Sequence, residues 1–403
     1  MPKSVLVIST LDTKGQETLY LKDKLRAIGL APMLMDISGR GSDIAEIDIS
    51  AARVAAAGGG DFDEMQSSRD RTRITNIMMT GGSQIASELS AKGKLAGVIA
   101  LGGSTGSLMG SEIMRALPFG IPKVMISSTA ALPGLSTRYI GTGDIALFHS
   151  VVEISGNSDL LKNVMDRAAY ALAGMLSDNI SSPKAAQGKA IALTMLGPCE
   201  KCASSVRAAM EQRGYQIIGF SAAGIGDRAM EDMIAGGFFQ GVIDLAPGGV
   251  GEHHFGFMRD AGPNRMETAG KLGLPQIIST CSVNHMTPAR SKYKPEYHDR
   301  RKFELDKLRT WIRLSPEELK EVAAIFAEKL NRSKGPVTVM IPQNGWSAAD
   351  LPGNDTHDPA EDQLFTQVLR KQLKPDIQII EVASNMEDPE FSAAVVENAL
   401  KIF

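Results

Sequence analysis

Three cysteines, Cys199, Cys202 and Cys281, and the histidines His253, His254 and His285 fall in one stretch of a 403-residue chain. Thiolate and imidazole are the ligand types that Zn²⁺ and other transition metals prefer. Four of them would complete a structural site. Three with an open position would activate a water, with the adjacent Glu252 as general base. Cys199-x-x-Cys202 also has the spacing of a redox pair at a helix N-terminus. The bland alternative is small packed thiols and polar loop histidines.

The first half carries different chemistry. Thr10-Leu11-Asp12-Thr13-Lys14-Gly15-Gln16-Glu17 follows an apolar run. The Thr10 and Thr13 hydroxyls and the amides here can donate to phosphate, and Lys14 can offset its charge. Asp12 or Glu17 could hold Mg²⁺ directly or through water. Gly102-Gly103-Ser104-Thr105-Gly106-Ser107 follows a second apolar run, and Ser127-Ser128-Thr129 a third. Glycines let amides approach an anion, and a helix N-terminus favours negative charge. None of these segments is a Walker A loop or a Gly-x-Gly-x-x-Gly fingerprint. Singly, each reads as a tight strand-to-helix turn. Three on one sheet edge read as a phosphate site, because open parallel sheets bind ligands outside the C-terminal strand ends.

These loops need a scaffold, and the apolar pattern supplies one. Residues 5–9, 33–36, 97–101 and 123–127 are continuous apolar runs, with a helical pattern at 17–28. Such runs alternating with helices predict parallel strands covered on both faces. Residues 177–189 lack an apolar period and predict a linker. Beyond it the pattern restarts: residues 190–195, 216–220, 241–247 and 275–280 echo the earlier strands in order. The fold class expected is therefore α/β, two tandem Rossmann-like domains with mostly parallel sheets related by an internal repeat. Their bounds are 1–180 and 189–403, the second with a C-terminal extension. The repeat places Cys199 and Cys202, then His253 and His254, then Cys281 and His285 after successive strands, in one crevice. Arg259, Asp260 and Arg265 flank it and could bind an acidic substrate or form a solvated face. Ser315-Pro316-Glu317-Glu318 predicts a capped helix to about residue 330. Strands at 337–341 and 378–382 and helices at 358–372 and 389–402 follow. Gly141-Thr142-Gly143-Asp144 reads as a turn before a helix at 145–154, capped by Asp144.

Hydrophobic residues make up 43% and charged residues 22%, with a net charge of −3. That composition excludes wholesale disorder and a coiled coil. It gives no general drive toward nucleic acid or an anionic membrane. The first apolar run is broken by Asp12 and Lys14, too early for a signal peptide. No stretch approaches the ~20 apolar residues of a membrane helix. With so few cysteines, a reducing, cytoplasmic setting is expected. Residues 290–313 hold nine Lys or Arg and four Asp or Glu, without an aromatic platform for RNA. They are expected to form an extended interdomain or dimer arm.

The motifs at residues 10–17, 102–106 and 141–144, with Ala261-Gly262-Pro263-Asn264-Arg265, resemble the tobamovirus-resistance ATP-binding domain family. That family holds a plant antiviral protein and many bacterial proteins. The resemblance implies two Rossmann-like subdomains, ATP binding in the first and dimerisation, and a plant member with a further barrel domain. Pro198-Cys199 matches the family pattern, while Cys202, His253, His254, Cys281 and Asn284-His285 depart from it. The function expected is an Mg-ATP-binding protein whose interdomain cleft takes a small acidic substrate or a protein partner. The alternatives are a metal-dependent hydrolase or lyase built on the Cys and His residues, and a nucleotide-controlled protein-binding module without turnover.

Overall fold

A computed structural model describes residues 2–177, 189–305, 307 and 309–403. The chain forms two compact units, Met1–Pro183 and Lys184–Phe403. The expected linker lies, but for its two ends, outside the described residues.

Unit 1 runs β1 (Ser4–Ser9), α1 (Leu11–Ala27), β2 (Ala31–Asp36), α2 (Ala51–Ala57), α3 (Phe62–Ser67), α4 (Arg71–Ala91) and β3 (Gly97–Gly102). It continues α5 (Ser104–Arg115), β4 (Lys123–Ser127), α6 (Leu135–Ile140), β5 (Ile145–His149) and α7 (Asp159–Met175). The sheet order is β2-β1-β3-β4-β5, and every pairing is parallel. Side chains alternate across a strand, so a run apolar at every position must be covered on both faces. β1 shows this directly. Leu6 and Ile8 pack with Met78, Ile85 and Ile113 of α4 and α5, while Val5 and Val7 pack with Leu21, Leu25, Leu161 and Met165 of α1 and α7.

One element differs from expectation. Residues 145–149 form an edge strand on β4, with Ile145 opposite Lys123 and His149 opposite Ser127, rather than opening a helix. Asp144 caps no helix. Its carboxylate accepts from Gly120 N–H at 2.8 Å and from Lys123 Nζ at 2.6 Å. Pairing to an open sheet edge outweighed the helical period of a short apolar run, which periodicity alone leaves ambiguous.

Unit 2 runs β6 (Ala190–Met195), α8 (Glu200–Glu211), β7 (Gln216–Ser221), α9 (Ile225–Ala235), β8 (Gly241–Asp244), α10 (Gly249–Phe255), α11 (Thr268–Leu272) and β9 (Gln276–Ile278). Then come β10 (His285–Met286), β11 (Lys302–Glu304), β12 (Thr310–Arg313), α12 (Pro316–Asn331), β13 (Val337–Pro342), α13 (Pro359–Gln372), β14 (Gln378–Val382) and α14 (Pro389–Ile402). The main sheet reads β14-β13-β9-β8-β6-β7, the winding of unit 1 extended by one strand, again all parallel. The α12 start forms the anticipated reciprocal cap: Ser315 Oγ accepts from Glu318 N–H at 3.2 Å, and Glu318 accepts from Ser315 N–H at 2.8 Å.

Residues 290–313 are no extended arm. β10, β12 and β11 make a small antiparallel sheet that buries Trp311, Ile312 and Arg313. Arg313 donates to Glu361 at 2.8 Å and to Asp362 at 2.7 Å, so its charge is spent within its own unit.

Candidate functional site

The order β2-β1-β3-β4-β5 reverses direction between β1 and β3. A crevice opens outside the strand ends at such a switch point, where ligands bind in doubly wound folds. Unit 1 has a cavity of about 840 Å³ at that point. Thr10, Asp12, Thr13 and Lys14 line it from the β1 side, and Gly103, Ser104, Thr105 and Gly106 from the β3 side.

The local structure suits an anion. α1 begins directly after β1, with Thr10 C=O accepting from Thr13 and Lys14 N–H at 3.2 and 2.9 Å. The helix is kinked at Lys14, whose φ is −124°. Lys14 Nζ donates to Ile154 C=O and stands 3.9 Å from Glu153. α5 starts after Gly103 with no side-chain cap on its amides. Such free amides and the helix dipole favour negative charge.

The glycines divide into two kinds. A Cβ on Gly102 would stand 2.8 Å from the Gly106 backbone, so the fold itself needs that glycine. On Gly103 the nearest atom would be Ser128 Oγ at 3.8 Å, and on Gly106 it would be Leu101 C=O or Thr10 Oγ1, also at 3.8 Å. Nothing in the fold requires those two positions to be bare. They are bare where they line the cavity.

The other wall went unread in the sequence. It comes from the connection between β2 and β3 and holds Arg40, Arg69 and Arg71 together with Ile37, Met65 and Ile74; Met109 of α5 adds a further apolar surface. A pointer was present, the alternation Arg69-Asp70-Arg71-Thr72-Arg73, but it matches no phosphate motif. Asp36 ties the two loops together. Its buried carboxylate accepts from Leu11 N–H at 3.2 Å and Ser38 N–H at 2.9 Å, and burial pushes its pKa up.

Several expected residues lie elsewhere. Glu17 is buried and accepts from Gly156 N–H, so of the two proposed Mg²⁺ carboxylates only Asp12 faces the cavity. A Cβ on Gly15 would meet Ile44 Cδ1 at 2.7 Å, a packing position. Ser127 Oγ accepts from Ser107 Oγ at 2.7 Å, and the Thr129 hydroxyl pairs with that of Tyr139 at 2.8 Å. These hydroxyls hold β4 to α5 and α6 and do not line the cavity.

The metal cluster expected in unit 2 is not assembled. Among the described residues no group of three or more His, Cys, Asp or Glu is placed to hold a metal ion. Cys199, Cys202 and Cys281 do come together, as buried free thiols in the apolar core between α8 and the sheet. Burial pushes the Cys202 and Cys281 thiols well up, the opposite of what a ligand or redox thiolate needs. The histidines diverge. His253 Nδ1 pairs with Asp260 at 2.8 Å and His254 Nε2 with Glu321 at 3.0 Å. His285 Nδ1 meets Asn284 Oδ1 at 2.6 Å, and its ring lies 5.0 Å from Trp311. Glu252 is buried against Arg259 at 2.7 Å. Arg265 is no substrate clamp either. It is fully buried and held by Asp244 at 2.5 Å and Asp227 at 2.8 Å.

Comparison with known proteins agrees with this division. The model of the N-terminal domain of the uncharacterised protein family UPF0261 matches residues 3–181, and that of its C-terminal domain residues 188–403. The chain belongs to this family. A UPF0261 protein of Clostridium tetani is 33% identical over 100% of this chain and 99% of its own length. The ToMV resistance protein Tm-1(GCR237) of Solanum lycopersicum is 32% identical over 99% of this chain. The match spans 55% of that longer tomato protein. A solved UDP-N-acetylglucosamine 2-epimerase from Rickettsia bellii covers 100% of this chain and 96% of its own, at 11% identity and a TM-score of 0.22, too loose a superposition to carry an argument. No helix among the described residues is long and apolar enough to cross a membrane.

Proposed function

We propose that unit 1 binds ATP with Mg²⁺ in the cavity at the β1/β3 switch point. One observation carries this reading. The same 840 Å³ cavity is lined by two uncapped helix starts, by glycines that the fold does not require, and by four cations against one carboxylate. The volume suits a ligand of nucleotide size. Ile37, Met65, Ile74 and Met109 supply an apolar surface for a base. Asp12 is the carboxylate for Mg²⁺, which keeps several waters and takes its remaining ligands from phosphates.

A ligand that binds only the folded state raises stability by mass action. Thermal melting with and without Mg-ATP therefore tests the site. The shift is expected in the native chain and is expected to shrink in Gly103→Val and Lys14→Ala. Equal shifts in all three would overturn the assignment. Phosphate release in the same samples separates an ATP-consuming enzyme from a nucleotide-controlled binding module.

A further inference from the structure

We propose that Arg40, Arg69 and Arg71 count phosphates, so that the cavity holds a nucleoside triphosphate far more tightly than a diphosphate or monophosphate. This rests on the nucleotide reading above and adds a selectivity that the glycine loops cannot supply. A helix N-terminus and a few amides hold one or two phosphates, and the rest of a triphosphate needs cations beyond them.

Three features lead here. The first is origin. The two units wind alike, yet the connection from β2 to β3 is residues 37–96, and its counterpart from β7 to β8 is residues 222–240. The longer connection carries two additional helices, α2 and α3, and brings all three arginines to the cavity. The second is pairing. Arg73, two residues along α4, is held by Glu64 at 3.3 Å and does not line the cavity. Arg40, Arg69 and Arg71 have no side-chain hydrogen bond or ion pair among the described residues. These three face an anion-suited cavity instead.

The third feature is rigidity. α2 crosses α4 at backbone contact: a Cβ on Gly81 would stand 1.9 Å from Val54 C=O, and one on Gly58 would stand 2.1 Å from Ile77 C=O. The Asp70 carboxylate caps α4 by accepting from Arg73 N–H at 2.9 Å, which fixes the turn on which Arg69 and Arg71 sit. The Arg69 and Arg71 guanidinium groups thus project from a braced support. Planar guanidinium donors match phosphate oxygens in pairs. Each phosphate added to the nucleotide adds negative charge near the same cations.

The test is calorimetric titration of the full chain with Mg-ATP, Mg-ADP and AMP. The native chain is expected to bind Mg-ATP about tenfold or more tighter than Mg-ADP, a difference of one charge-assisted contact or more. The triple variant Arg40→Gln, Arg69→Gln, Arg71→Gln is expected to bring that ratio to within about twofold while AMP binding stays near native. These residues have no partners to lose, so its melting temperature without ligand is expected to hold. Arg73→Gln serves as the control and is expected to leave the ratio unchanged. Equal native affinity for ATP and ADP would overturn the counting role and leave the nucleotide site standing. So would a native ratio in the triple variant. No binding of any of the three nucleotides would overturn the nucleotide reading and this proposal with it.

Discussion

The two units are wound in the same order and finish their sheets in opposite ways. In unit 1 the edge between β1 and β3 is left open, with bare glycines and three arginines that have no side-chain partner among the described residues around a cavity. In unit 2 the matching edge between β6 and β8 is closed by the chain itself. Thr194 Oγ1 donates to Asp244 at 2.8 Å and accepts from Ala246 N–H at 2.9 Å, lacing β6 to the loop after β8. The first amides of α8, which in α1 border the cavity, donate to the Glu387 carboxylate, Cys202 N–H at 3.2 Å and Lys201 N–H at 3.4 Å. A carboxylate from the chain takes the place that unit 1 offers to a ligand. On the nucleotide reading proposed above, one topology supports two roles, and the contents of its switch point decide between them.

The largest effect is expected where unit 2 is most tightly closed. Arg265 neutralises Asp244 and Asp227, with Glu231 at 3.7 Å, in a fully buried group. Burial opposes its charge, yet Asp244 and Asp227 hold the guanidinium protonated, while burial pushes the Asp227 and Glu231 carboxyls up. Arg265→Leu strands these carboxylates and is expected to cost about 3–5 kcal/mol. Both tryptophans, Trp311 and Trp346, lie in unit 2, so tryptophan fluorescence follows that unit alone. Denaturant titration is expected to show early unfolding by this signal, while stabilisation of unit 1 by Mg-ATP persists. A native midpoint would mean that the network is dispensable and the contrast between the edges overstated.

How far the sequence revealed this contrast depends on which forces act locally. Strands buried on both faces announce themselves as continuous apolar runs, so Val5 to Ile8 and Val98 to Leu101 were readable without a structure. The cap at Ser315 was readable because it is set by its next three residues. The closure of unit 2 was not readable. It depends on partners such as Arg265 with Asp244 and Glu387 with Cys202, and the last pair is separated by 185 residues. The cysteines gave a related lesson. The repeat brought Cys199 and Cys281 together as anticipated, but residue type does not tell a ligand thiol from a packed one. Depth does, together with the finding that no three donors among the described residues are placed to hold a metal. Arg40, Arg69 and Arg71 were passed over because a cationic wall built from a long connection has no fixed spacing.

Unit 2 should also respond to pH. His285 is buried between Asn284 and Trp311. Burial pushes its imidazole down to about 3; Asp350 pulls the other way, and Arg313, Arg259 and Arg301 reinforce the drop. In the unfolded chain a histidine titrates near ~6.5. As pH falls below that value the unfolded state takes up the proton first, so the stability contributed by neutral His285 is complete above ~6.5 and is lost toward 3. At about pH 5 the loss should be about 2 kcal/mol. Asp362 works in the opposite sense. Burial and the neighbouring Asp350 raise its carboxyl well above the usual range, with Arg313 pulling the other way, so that contribution fades as pH rises. Comparing the native chain with His285→Gln isolates the histidine. The variant is expected to show a flatter fall in its tryptophan-reported midpoint between about pH 7.5 and 5. The same slope in both chains would remove His285 from the account.

The smallest effect has opposite signs for stability and binding. Gly106 sits in the first turn of α5, where alanine favours the helix by about 0.8–1 kcal/mol. A methyl group there would come no closer than 3.8 Å to any neighbouring atom, so the fold gives no reason for glycine. If backbone access to the phosphates is the reason, Gly106→Ala should raise the melting temperature of the ligand-free chain and weaken Mg-ATP binding together. Gly102→Ala offers the contrast, because its methyl would press on the Gly106 backbone at 2.8 Å and should destabilise without ligand. Melting curves of both variants, each with and without Mg-ATP, measure the two quantities at once. A Gly106→Ala chain that gains stability and keeps native nucleotide affinity would show that the open edge does not need its bare helix start.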